Sequence, residues 1–238
     1  MEPDETKRIA ARMKAAAYDA GLQRTRYELA KFAARMLVDS GRELHVVGHF
    51  FGLDRVEGES KTGNGDDETV AVSLLLRISS QLVSAAADLL SGDHPYAGAA
   101  LVRQLVEVEY LAWAFETRNA DGQRWLRSTK EERFQFFTPA KLRKAAKGHF
   151  RGQDYGHHCE MGGHPVPDSF KLLDGDDVLP QLLLADMLGH SGRIWDHLVR
   201  WARVHDTGQS ILRNAEGMRT EFNDWKQRDF LAQAPAPP

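Results

Sequence analysis

PYAGAALVRQLVEVEYLAWAFET, residues 95–117, carries the fold class of this chain. Asp93 and Pro95 supply helix-start signals, proline because its missing N–H is no loss in a first turn. Set about 100° apart, the residues that follow are apolar around most of the circumference. Such a helix must be covered on several sides at once, which places it in the middle of a bundle.

Working outward, the pattern repeats on both sides. Upstream, Ala71, Leu74, Leu75, Ile78, Leu82, Ala85, Ala86 and Leu89 form an apolar stripe at helical spacing. Asp66 and Asp67 are capping candidates for that helix, Glu68 suits its first turn, and Gly92 closes it. Downstream, Leu183, Leu184, Met187, Leu188, Ile194, Trp195, Leu198 and Trp201 give a helix over about Val178–Val204, and Ile211–Phe230 gives another. Shorter helices are expected at Asp121–Arg127, Lys130–Phe137 and Pro139–Lys147, the last with Thr138 as N-cap.

The remaining stretches read as breaks. Asp4–Ser40 is a helix interrupted at Gly21 and stopped at Gly41, and HVVGHFFG (45–52) reads as packed irregular structure. EGESKTGNGDDE (57–68) reads as a flexible acidic loop, and Gly148–Gly175 as a long irregular Gly/Pro/His-rich loop before the penultimate helix. The expected architecture is an all-α helical bundle, one domain overall. Residues 1–65 form an N-terminal helical segment and acidic loop, 66–230 the main bundle, and 231–238 a disordered tail. No internal repeat, heptad array or βαβ alternation is read from the chain.

Composition narrows the function classes. The chain has 238 residues and a single cysteine, Cys159, so no intramolecular disulfide is available and a reducing, cytoplasmic setting is expected. The first twenty residues have scattered charges and no apolar core, unlike a signal peptide, and no membrane association is expected. A net charge of -3 argues against a surface that coats nucleic acid as a whole. Between Arg118 and Arg151, however, ten Lys/Arg face three carboxylates, a local net of +7, interleaved with Trp125, Phe134, Phe136, Phe137 and Phe150. Cations mixed with aromatics can hold phosphates and stack bases, so RNA or a nucleotide is an expected partner.

Three groups of residues have the chemistry of a site. On the 95–117 helix, Arg103, Glu107 and Tyr110 share one side, while Glu109 falls within the apolar arc of Val102, Leu105, Val106 and Trp113. A carboxylate there must find a donor, reach water or stay protonated. On the penultimate helix, Asp186, His190, Arg193 and His197 recur every four, three and four residues along one edge of the apolar face. A carboxylate one turn before a histidine orients its imidazole or shares a metal with it. The loop YGHHCEMGGHP (155–165) offers Tyr155, His157, His158, Cys159, Glu160 and His164, plausible first-row metal ligands without any known four-ligand spacing. Its glycine pair before His-Pro holds His164 in a defined direction.

The combination of LVRQLVEVEY (101–110), Tyr155-x-x-His158 running on to GGHP (162–165), and Asp186-x-x-x-His190 resembles bacterial helical proteins related distantly to the HEPN superfamily. The resemblance spans roughly Val70–Val204. It implies a helical bundle, often dimeric, in which some members cut RNA without a metal through an arginine followed four to six residues later by a histidine. Arg151 precedes His157 and His158 at that distance and Arg200 precedes His205, but Gly152 and Trp201 stand where the family has a polar residue.

Three functions compete at this level. The first is a polar pocket that binds or acts on a phosphate-bearing ligand, with His158 or His164 as general acid/base and Arg103, Arg151 or Arg193 on phosphate. The second is a metal site of His158, His164, Asp186 and His190, with Glu109 as a base. The third is a dimerising interaction module whose polar residues satisfy one another. No cofactor is named by the residues.

Overall fold

The computed structural model describes residues 3–50, 66–118, 120–150, 152–173, 175 and 178–233, and among them no strand occurs. The long helices are α1 (Pro3–Tyr18), α2 (Ala20–Phe50), α3 (Asp67–Leu90) and α4 (Pro95–Thr117). Three short helices follow, α5 (Asp121–Arg127), α6 (Lys130–Phe136) and α7 (Pro139–Ala145). Next come α8 (Gly152–His158), a π-helical turn at Cys159–Gly163 and a 3₁₀ turn at Pro167–Leu172. The chain ends with α9 (Val178–Ala202), α10 (Gln209–Arg228) and α11 (Phe230–Gln233). The chain is an all-α bundle, as its apolar periodicity predicts.

α4 is the central helix, packed between α3 and α9, with α2 along the far side of α3. Asp66 caps α3 by accepting from the Glu68 and Thr69 amides, and Pro95 opens α4. Asp19 breaks α1 from α2 and accepts from the Leu22 amide, next to the expected break at Gly21. Thr138 stands at the N-cap of α7 without a side-chain capping bond; Thr129 and Glu132 instead form a reciprocal capping box on α6. α3 is long and apolar enough to cross a membrane by length and composition, with Arg77 interrupting its apolar run, and 61% of its most apolar window is buried inside the bundle.

Three sequence expectations need correction. The helix does not stop at Gly41, nor is 45–50 irregular: α2 runs on to Phe50. Gly41 and Gly48, seven residues apart on one face, are where α3 presses closest. A Cβ at Gly41 would lie 3.0 Å from the Ser73 carbonyl oxygen, and one at Gly48 would lie 2.9 Å from Val70 Cγ2. These glycines permit close packing, and burial outweighs their helix cost of about 1 kcal/mol each. Second, the segment before α9 is largely wound into α8, the π turn and the 3₁₀ turn. Third, Phe230–Gln233 is helical with Leu231 buried, so the expected tail begins later. The flexible loop expected at 57–68 lies mostly outside the described residues, as do 234–238.

α10 and α11 are tied to the core by a buried ion pair. Arg26 and Asp229 are both fully buried, with Arg26 Nε donating to Asp229 Oδ2 at 2.6 Å and its NH2 to Oδ1 at 2.9 Å. Trp225 Nε1 and the Leu231 amide also donate to that carboxylate, and Gln181 accepts from Arg26 NH1. Every lone pair of the carboxylate has a donor, the condition under which a buried ion pair is tolerated.

Candidate metal centre

Glu109 is buried, and it finds its donors on α9. His190 Nδ1 lies 2.5 Å from Glu109 Oε2, and Arg193 Nε donates to Oε1 at 2.8 Å. Arg193 NH2 also approaches His190 Nδ1 at 2.7 Å, but one nitrogen cannot donate and accept at once. The short contact to a carboxylate puts the proton on Nδ1, so His190 donates to Glu109 and Arg193 serves the same carboxylate from beside it. Burial alone would raise the Glu109 pKa, but His190 and Arg193 outweigh it and bring it down to about 2.

With Nδ1 engaged, the other nitrogen of His190 faces His158 and Asp186. α8 and the π turn fold back over α4, and Gly162 is what lets them in: a Cβ there would lie 2.7 Å from the Ala100 amide nitrogen. That close approach sets His158 against α9. His158 Nε2 is 3.3 Å from His190 Nε2 and 3.0 Å from Asp186 Oδ2, and His190 Nε2 is 3.7 Å from Asp186 Oδ2. Both imidazoles are buried, and among the described residues His158 Nδ1 finds no hydrogen-bond partner. The Asp186 side chain keeps 31% of its surface exposed, so the group opens to solvent on the carboxylate side. Burial works against protonating His190, but Asp186 and Glu109 raise its pKa to about 9. Asp186 is held well below the usual carboxylate range, its burial outweighed by the two imidazoles.

The other expected site residues separate from this group. His164 is exposed, its backbone amide donating to the Cys159 carbonyl, and it does not join the group of His158, Asp186 and His190. His157 is half-buried with its ring 5.9 Å from that of His158. Arg151 lies outside the described residues. Arg103, Glu107 and Tyr155 form their own cluster: Arg103 NH1 donates to Glu107 at 2.8 Å and to the Tyr155 hydroxyl at 2.9 Å, and that hydroxyl donates to Glu107 at 2.9 Å. Burial and then Glu107 push the Tyr155 pKa up to about 12. Tyr110 is buried, with its ring 4.3 Å from Phe150 and 6.3 Å from Tyr155. Cys159 is half-buried and hydrogen-bonds Arg103.

The arginines of the basic block are largely committed within the fold. Arg118 pairs with Asp121 and Arg127 with Asp67, Arg133 donates to the Ser128 carbonyl, and Arg124 lies 3.6 Å above the Phe136 ring. The block's lysines, Lys130, Lys141, Lys144 and Lys147, are exposed, as are Arg124 and Arg133.

Sequence reasoning passed over Glu116 and gave Arg200 no place at the site, and both belong to this face. Glu116 accepts from His197 Nδ1 and, at 2.5 Å, from Arg200 Nε. Burial first, and Arg200 with it, lowers the His197 pKa against the pull of Glu116. The signal was present: His-x-x-Arg at 190–193 recurs at 197–200, and Glu109 and Glu116 have the same seven-residue spacing. Of the two Arg-to-His spacings in the HEPN resemblance, only Arg200 and His205 are described. Arg200 is engaged by Glu116, and His205 Nδ1 is bonded to the Trp201 carbonyl at 2.8 Å.

No protein-family model, curated protein or solved structure matches this chain.

Proposed function

We propose that the chain is a metal-binding helical protein, with His158, Asp186 and His190 holding one divalent first-row cation of the zinc type. The observation that carries this is the convergence of two imidazole nitrogens and one carboxylate oxygen, from α8 and α9, within 4.8 Å of one another. Their separations of 3.0, 3.3 and 3.7 Å bracket the edge of a zinc tetrahedron, about 3.3 Å for bonds of about 2.0–2.1 Å. Glu109 supports the reading as the carboxylate behind a ligating histidine: it fixes the Nδ1–H tautomer and makes Nε2 a better electron donor.

Three protein ligands leave a coordination position for water or substrate, the mark of a catalytic rather than structural zinc. The half-open side at Asp186 is where water would enter, and a bound water with its pKa brought near 7 is a hydrolytic nucleophile. We therefore assign the site to metal-assisted hydrolysis. Arg103 and Arg193 are engaged by carboxylates, so an anionic substrate would meet the metal rather than an arginine clamp.

The test is elemental analysis and calorimetry on protein stripped with chelator and then titrated with Zn2+. One tight equivalent is expected, lost in Asp186→Asn and His158→Ala and weakened about 10–100-fold in Glu109→Gln. A stripped protein that takes up no zinc, or variants that bind it as the parent does, would overturn the assignment.

A further inference from the structure

The geometry points to a second, weaker transition-metal site at His149 and His197, about 10 Å along α9 from the first at 1.5 Å per residue. The two places are built alike. Glu109 with His190 and Arg193, and Glu116 with His197 and Arg200, are the same unit displaced by seven residues on both helices. Equal displacement on both helices requires α4 and α9 to run parallel, which keeps each carboxylate beside its histidine. In each unit the histidine Nδ1–H is spent on the carboxylate, so Nε2 is the nitrogen that would ligate a cation.

The second imidazole is also repeated. The rings of His158 and His190 are 5.2 Å apart at 68°, and those of His149 and His197 are 5.7 Å apart at 64°. Two imidazoles sharing one tetrahedral zinc have ring centres about 5 Å apart, given bonds of about 2.0–2.1 Å. His149 is aimed by its backbone: Lys147 and Gly148 both have positive φ, 48° and 90°, and turn the chain back after α7. Its ring then stacks on Trp113, with centroids 6.3 Å apart at 25°.

The units differ one turn before the α9 histidine. Asp186 stands four residues before His190, and Arg193 four before His197. Among the described residues the second place therefore offers two imidazoles and no carboxylate in the position of Asp186, with solvent completing the shell. That donor set favours Cu2+ over Zn2+ and binds less tightly than the first site.

The experiment is a titration of chelator-stripped full-length protein with Cu2+ alone, followed by electron paramagnetic resonance, and with Zn2+ alone by calorimetry. Two equivalents of Cu2+ are expected, the weaker showing nitrogen coupling. His149 is exposed, so His149→Ala should fold normally and weaken that equivalent by about tenfold or more while sparing the tight one. Asp186→Asn should do the reverse. A single equivalent, a weak equivalent that survives His149→Ala, or one removed instead by His45→Ala would overturn the inference; His45 and His49 are a further imidazole pair, 4.4 Å apart on α2. If Asp186→Asn leaves the tight equivalent intact, the proposed hydrolytic centre fails while the His149 result still decides this one.

Discussion

Replacing Glu109 by Gln keeps the shape of the side chain and removes the charge that His190 donates to. The size of the effect follows from the pKa of His190, which rises from 6.5 to about 9 in the metal-free fold. At about 1.4 kcal/mol per tenfold change, that is about 3 kcal/mol of folding stability, shared between Glu109 and Asp186. A raised folded pKa means the contribution is complete below pH 6.5, mostly present at pH 7, and lost as the pH rises through about 9. Glu109, with its pKa depressed to about 2, has the opposite edge: its contribution is complete above pH 4.5 and lost as the pH falls through about 2. These are two ends of one interaction and do not add. Urea denaturation of chelator-treated protein across pH 5–10 should show the parent losing stability on the alkaline side. Glu109→Gln should be less stable by about 1–3 kcal/mol at pH 6, with a flatter alkaline limb. Equal stability and superimposable pH profiles would refute the placement of a charged His190–Glu109 pair in the core.

Asp229→Asn leaves the fully buried Arg26 guanidinium without its counter-charge and should cost about 3–5 kcal/mol in a denaturant titration, with α10 and α11 losing hydrogen-exchange protection first. Gly162→Ala places a methyl 2.7 Å from the Ala100 amide nitrogen, so the π turn must lift from α4. It should cost about 1–3 kcal/mol and weaken zinc binding through His158, whereas Gly217→Ala, with open space around it on α10, should leave zinc binding unchanged and raise stability by about 0.5–1 kcal/mol.

The fold was legible because helix formation is a local property. Asp66, Pro95 and the apolar stripes mark α3, α4 and α9 from their own neighbourhoods, and those helices begin and end within a few residues of expectation. Two of the three failures have one cause. Gly41 and Gly48 look like breakers because glycine is a poor helix former, and their use appears only once α3 is seen to press on them. Gly162 and the π turn are the same case: glycines that loosen a chain in isolation tighten it against a neighbour.

The site was legible in halves. Spacing put Glu109 in an apolar arc and set Asp186, His190, Arg193 and His197 on one edge of a helix, because direction around a helix depends only on residue number. Which group meets which is a matter of packing. His190 reaches Glu109 across 81 residues and His158 across 32, and His164, with equal chemistry on the same loop, points to solvent. Local sequence thus settled which backbone is helical and which side chains share a face. The partners across the interface, and with them the tautomers, the pKa shifts and the three-atom cluster, arose only when α8 and α9 closed on α4, since contact energies fall off over a few ångströms while sequence separation places no limit on what can meet.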